Sequence, residues 1–246
     1  MVLETLLGVG VACGVLAWGA RGRSSTMFGP SVWKGPKTRR AMALTFDDGP
    51  SESTRDLLDV LDEFGVKATF FQCGFHSRRL RSEAAEVARR GHEIGNHGDT
   101  HQALYLHSAK FIHDQLARAQ ASIEEATGVR PALFRAPFGV RWAGLAQAQR
   151  KLGLMGVVWT SISRDWVLSA DAIVDRMLKS AKPGAILCFH DGRELAMRPD
   201  ISATVESVRR LLPIWLDQGY EFVTVSELIG RQRNQAPPAV PPESGK

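Results

Sequence analysis

His97 and His101 are the first residues in the sequence whose type and spacing could do chemistry. Imidazoles four residues apart can turn toward one ion from a helix or a tight loop. A carboxylate beside them would complete a three-ligand site and leave a position for water, which is the pattern of a catalytic metal rather than a structural one. Two solvated surface histidines have the same spacing, so the pair alone decides nothing. Of the seven histidines, His76, His92, His107 and His113 lack a comparable setting. Asp47 and Asp48 are adjacent within TFDDGP (45–50). They either build a turn, with Asp bonding the local backbone and Gly-Pro ending a strand, or they divide the labour. In the second case one carboxylate binds a metal and its neighbour stays free as a base. Arg135, Asp165-Trp166 and His190-Asp191 are the other polar residues that follow apolar runs.

The elements that would position these residues alternate between strand and helix. Residues 41–46 (AMALTF) form a short apolar run that ends at the acidic pair and reads as a buried strand. Ser53 opens a helical pattern with Leu57, Leu58, Leu61 and Phe64 on one face and Gly65 as its stop. Further strands are predicted over 68–72, 93–96, 132–135, 156–159, 185–189 and 221–224. Helices are predicted over 80–90, 108–127, 142–152, 169–179, 201–218 and 226–229. Gly91 and Gly128 act as stops, Ser169 as an N-cap, and Pro213 as a bend. Seven strands alternating with helices imply a parallel sheet under helical cover. TFDDGP is neither GxGxxG nor a P-loop, which favours a barrel over an open nucleotide-binding sheet. In a barrel of this kind the reactive residues gather at the carboxyl ends of the strands. Asp47, Asp48, His97, Arg135, Asp165 and His190 all fall at or just after such ends.

With 246 residues, 44% hydrophobic and 23% charged, the chain can bury a full core without disulfide staples. The composition excludes a disordered chain, a collagen-like fibre and a multi-pass membrane protein. Cys13, Cys73 and Cys188 match no zinc ribbon or disulfide framework, and Cys13 and Cys73 read as buried, inert thiols. A net charge of +5 suits a cell wall, a membrane surface or nucleic acid and selects none of them. No nucleic-acid recognition motif is visible. The basic run Lys34, Lys37, Arg39, Arg40 reads as a solvated segment or a contact to headgroups or an anionic wall. Residues 5–20 carry no charge and precede Arg21 and Arg23. That is short for a spanning helix, which needs about 20 residues, and suits a signal-peptide core. Glu4 precedes it instead of a cation, and the positive-inside rule would favour a cytoplasmic body if it stayed in a membrane. Residues 1–26 are expected to be a signal or anchor segment, the alternative being a buried helix. Residues 27–232 form the expected domain, and 233–246, with PPAVPP, an extended tail.

Taken together, these residues resemble the polysaccharide deacetylases, the NodB-homology carbohydrate esterases of family 4. The resemblance runs from about residue 41 to 228 and rests on five motifs in order. They are TFDDGP at 45–50, HGDTH at 97–101, RAPFG at 135–139, Asp165-Trp166, and strand 186–189 leading into His190-Asp191. It implies an α/β fold, a distorted (β/α)7-type barrel of parallel strands with outer helices. It implies a divalent metal held by Asp48, His97 and His101, zinc foremost, with cobalt or another divalent ion as alternatives. Asp47 would be the base and His190 the acid, oriented and charged by Arg135 and Asp165 respectively. The backbone N–H of Phe138 would share the oxyanion with the metal. Pro137, Trp166 and Cys188 would wall the substrate pocket. Three departures stand out. Gly98 replaces a Ser or Thr, 161–164 lacks an earlier acid, and Cys188 replaces a leucine of the acetyl pocket.

The implied activity is removal of N-acetyl groups from an amino-sugar glycan at the cell envelope, with the glycan as partner and the N-terminal segment as an anchor. The competing readings are hydrolysis of another amide or an O-acetyl ester at the same site, and a silent carbohydrate-binding envelope protein. Trp142, Trp159 and Trp215 read as core.

Overall fold

A computed structural model describes residues 2–231, with side chains from residue 10 onward. Strand β2 (Ala41–Asp47), after the short β1 (Ser31–Val32), is buried along its whole length. A strand covered on both faces reads as a continuous apolar run, which is why 41–46 shows no alternation. The alternation is present in what each face meets. Met42, Leu44 and Phe46 pack outward with Leu57, Leu58 and Leu61 of α2 (Thr54–Glu63) and with Leu211 and Trp215. Ala41 and Ala43 join Phe71, Leu133, Val157 and Ile186 in a second cluster on the inner side.

The remaining strands are β3 (Thr69–Gln72), β4 (Glu93–Asn96), β5 (Leu133–Phe134), β6 (Met155–Val157), β7 (Ser161–Ile162), β8 (Ile186–His190) and β9 (Glu221–Phe222). Their order is β1-β6-β5-β4-β3-β2-β8-β7, with β9 beside the start of β2, and every one of these strand pairs is parallel. The segment carrying β6 and β7 leaves one side of the sheet and arrives at the other, since β6 pairs with β5 and β7 with β8. The sheet therefore curls into a half-barrel. Lys34 pairs antiparallel with Ala185 and the Thr160 hydroxyl donates to the Trp33 carbonyl, which ties the N-terminal segment across the gap.

The helices α3 (Gly74–Arg79), α4 (Arg81–Arg89), α5 (Ala109–Thr127), α6 (Leu145–Leu152), α7 (Ala170–Leu178), α8 (Ser202–Asp217) and α9 (Val225–Leu228) supply the cover. α5 is capped by Ser108, whose Oγ accepts from the Phe111 N–H, and stops at Gly128 with φ 71°. α8 runs on through Pro213, and Trp215 on it is fully buried. The predicted 80–90 helix is α4, and the separate α3 precedes it. β1 and β7 are absent from the sequence expectation. Cys13 is exposed, not buried as expected, and so are the neighbouring side chains of α1 (Val2–Arg21) from residue 10 to Trp18. Among the described residues no helix is long and apolar enough to cross a membrane. The side chains of residues 1–9 of the expected leader, and the expected 233–246 tail, lie outside the described residues.

Candidate active site

Asp48 directly follows β2, and His97 directly follows β4. Each strand end delivers one ligand, and His101 reaches back from the loop. His97 Nε2 lies 3.2 Å and His101 Nε2 3.0 Å from Asp48 Oδ1, and all three residues are buried. His97 Nδ1 is 2.8 Å from the Arg135 carbonyl oxygen, which can only accept. Nδ1 therefore donates there, which leaves Nε2 as the ring nitrogen that faces Asp48. Asp48 Oδ1 is buried with no hydrogen-bond partner. Two imidazole nitrogens converging on an unpartnered carboxylate oxygen are the arrangement a divalent cation satisfies, and Asp48, His97 and His101 form such a group. Asp48 Oδ2 is separately fixed by the Glu194 N–H at 2.9 Å.

The backbone at this site is strained where the sequence gives no hint of it. Asp48 has φ 72°, His101 48° and Phe138 58°, all in the left-handed region that side chains other than glycine seldom occupy. Gly98, with φ 80°, donates its N–H to Asn96 Oδ1 at 2.8 Å. Gln115 Oε1 accepts from the N–H groups of Asp99 and Thr100. The histidine loop is thus held through its backbone, and a hydroxyl at position 98 is not needed.

Asp47 and His190 face each other in register across β2 and β8. Asp47 Oδ1 accepts from Arg135 Nη1 at 2.7 Å in a fully buried ion pair, and the same Nη1 donates to Thr45 Oγ1. The guanidinium lies over the Phe71 ring at 4.2 Å. The Cys188 thiol, kept protonated because burial pushes its pKa up, donates to Asp47 Oδ2 at 3.4 Å. Asp165 accepts three bonds: from His190 Nδ1 at 2.7 Å, from the His190 N–H, and from the Thr204 hydroxyl. Burial alone would lower the His190 pKa, but the charge and hydrogen bond of Asp165 raise it to about 9. Asp191 packs behind the TFDDGP turn with its Oδ2 on Thr54 Oγ1, and burial pushes it up to about 7.

One cleft of about 770 Å³ collects Asp47, Asp48, His97, His101, His190, Phe138 and Trp166 in its wall. Arg135, Asp165, Pro137 and Cys188 are buried behind that wall. The structure thus gathers every sequence-predicted residue in one place, but Pro137 and Cys188 do not line the cleft. Trp159, expected in the core, does line it, with Ile162 and the rim segment from Arg193 to Ala196. For Trp159 and the 193–196 segment, a position at or after the apolar runs of β6 and β8 is the one sequence signal that could have found them; Ile162 lies on the unpredicted β7. Phe138 stands 4.7 Å edge-on to His101, and Trp166 stands 5.1 Å edge-on to His190.

This geometry has close counterparts among known proteins. The polysaccharide deacetylase family profile matches residues 34–157. A peptidoglycan-N-acetylglucosamine deacetylase of Bacillus cereus is 34% identical over 202 residues, which span 80% of this chain and 92% of that protein. A chitooligosaccharide deacetylase of Bradyrhizobium is 33% identical over 198 residues, 77% of this chain and 90% of its own length. A crystal structure of a peptidoglycan N-acetylglucosamine deacetylase superposes with a TM-score of 0.77 at 27% identity, covering 82% of this chain and 94% of that one. Motif order, curled parallel sheet and sequence identity over most of the length agree, and the chain belongs to the polysaccharide deacetylase family.

Proposed function

We propose that the protein is a divalent-metal-dependent hydrolase that removes N-acetyl groups from an N-acetylglucosamine-type glycan, releasing acetate and leaving a free amine. One observation carries this reading. A three-ligand group opens on the same cleft as a carboxylate held by arginine and an imidazole held by a second carboxylate. A cation held by Asp48, His97 and His101, zinc by preference, would polarise the acetamide carbonyl and acidify a water. Asp47 takes a proton from the attacking water as the water's oxygen adds to the carbonyl carbon. Arg135 holds Asp47 in place through the 2.7 Å contact to its Oδ1 and aims it. The N–H of Phe138 shares the developing oxyanion. His190, cationic beside Asp165, gives its proton to the departing nitrogen as the C–N bond breaks. Trp166, Phe138 and Trp159 offer flat faces to the sugar.

The relatives' named substrates, peptidoglycan and chitooligosaccharide, support an amino-sugar polymer or oligomer and a site working at the cell envelope. Another acyl group would need a reshaped pocket, and the buried position of Cys188 gives that reading no support. Acetate release from N-acetylglucosamine oligomers and from peptidoglycan, with zinc, cobalt or manganese added to metal-stripped protein, tests the proposal. Release that depends on metal is expected. No release from any glycan with any of the metals would overturn it.

A further inference from the structure

The exposed large apolar side chains of the described residues are not scattered. Four lie on α1 and a fifth is Met27 just after it. Six lie on loops at the carboxyl ends of the strands: Tyr105 and Leu106 after β4, Phe138 after β5, Trp166 and Val167 after β7, and Met197 after β8. Ile214 and Leu216, on α8, are the two elsewhere. Phe138 and Trp166 line the cleft and serve the glycan. Leu106, Val167 and Met197 do not line it, and they are 76%, 60% and 61% exposed. Their aliphatic tips offer no flat face to a sugar ring. Exposed apolar tips on several loops at one end of the sheet mark an interaction surface.

Two observations say what covers it. The first is continuity with α1. The Arg141 N–H donates to the Ala20 carbonyl at 3.0 Å, and the Arg141 guanidinium holds the carbonyls of Gly22 and Ser25. Arg141 is three residues beyond Phe138, so the exposed apolar helix ends beside the cleft rim. The second is charge. Arg164 and Arg198 are exposed on the rim loops, where Glu194 and Asp200 are exposed as well, and Arg21 and Arg23 are exposed at the end of α1 and tip the balance to positive. Apolar tips edged by arginines seat into the boundary between acyl chains and anionic headgroups. The basic run 34–40 lies before β2, at the other end of the sheet, and is engaged there. Arg39 pairs with Glu221, and Lys34 and Arg40 cover the rings of Trp33 and Tyr220.

We propose that the cleft-bearing face docks on an anionic lipid bilayer, so that the glycan it serves is one held at the membrane surface. The substrate half of this rests on the deacetylase reading above, and the docking half does not. The full-length chain is sedimented with vesicles of phosphatidylcholine and phosphatidylglycerol. The wild type should bind. The triple variant Leu106→Ser, Val167→Ser, Met197→Ser should bind roughly tenfold or more weakly, from the apolar surface it no longer inserts. The pair Ile214→Ser, Leu216→Ser on α8 should bind like wild type. Acetate release from a soluble oligomer should be unchanged in both variants. A wild type that stays in solution, or a triple variant that binds as well as wild type, would overturn the docking face. So would an equal loss in the α8 pair. A triple variant that keeps vesicle binding but loses activity on long soluble glycan would make the rim a polysaccharide groove instead. Absence of acetate release in all proteins would count against the deacetylase reading alone.

Discussion

Asp47 has its two oxygens held by different partners, Arg135 on Oδ1 and Cys188 on Oδ2. That leaves the remaining lone pair of Oδ2 for the attacking water. Asp47→Asn keeps the shape and removes the proton acceptor. Acetate release should fall by roughly 10² or more, with metal content by elemental analysis unchanged; full activity would remove Asp47 from the base role. Cys188 is where the sequence reading and the structure part. It reads as a pocket wall because of its motif position, yet its side chain turns under Asp47. Cys188→Ser keeps a donor and Cys188→Val does not, so kcat should fall severalfold in the valine variant alone, with KM unchanged. Asp165 raises the His190 pKa to about 9 despite burial. The pair therefore stabilises the fold most below the ordinary histidine pKa of about 6.5 and loses that contribution as pH rises through about 9. In Asp165→Asn the alkaline limb of kcat should move to lower pH. A limb that does not move would separate Asp165 from the acid.

At the scale of elements, what the sequence made legible was what periodicity and punctuation control. The strands over 41–46, 68–72 and 185–189 are legible because each is an apolar run between turn or helix signals. The loops that aim the site were not legible, because Asp48, His101 and Phe138 adopt left-handed backbone that their residue types do not advertise. Trp159 was misread for a related reason. An apolar residue past a strand end looks like core until tertiary placement puts it on the cleft. Element packing also reaches the chemistry indirectly. A Cβ on Gly95 of β4 would stand 2.4 Å from Cδ1 of Phe71, and Phe71 supports the Arg135 guanidinium from 4.2 Å. Gly95→Ala should therefore cost about 1–3 kcal/mol in chemical unfolding. It should also lower kcat without touching a ligand. Full activity in a measurably destabilised variant would show that Phe71 shifts without carrying Arg135 with it.

Across the whole molecule, the three ligands join two loops that β3 keeps one strand apart, since β2 pairs with β3 and β3 with β4. A cation there would tie the TFDDGP turn to the histidine loop, and through Glu194 and Asp48 to the rim loop after β8. It would bind the folded chain, because the unfolded chain has no such convergence. Stability should therefore follow metal concentration by mass action, about 2.7 kcal/mol at a hundredfold excess over Kd. For a chain of this length 1 kcal/mol moves Tm by about 2–4 °C. Metal-saturated protein should then melt roughly 5–10 °C above chelated protein, and returning the metal should restore the difference. Asp48→Asn should abolish that difference, while Asp47→Asn should keep it, because the base is not asked to hold the ion. Calorimetry of the two variants side by side separates their roles without any substrate. An equal loss of the metal-dependent shift in both would mean that the adjacent carboxylates share the cation, and the division of labour between them would fall.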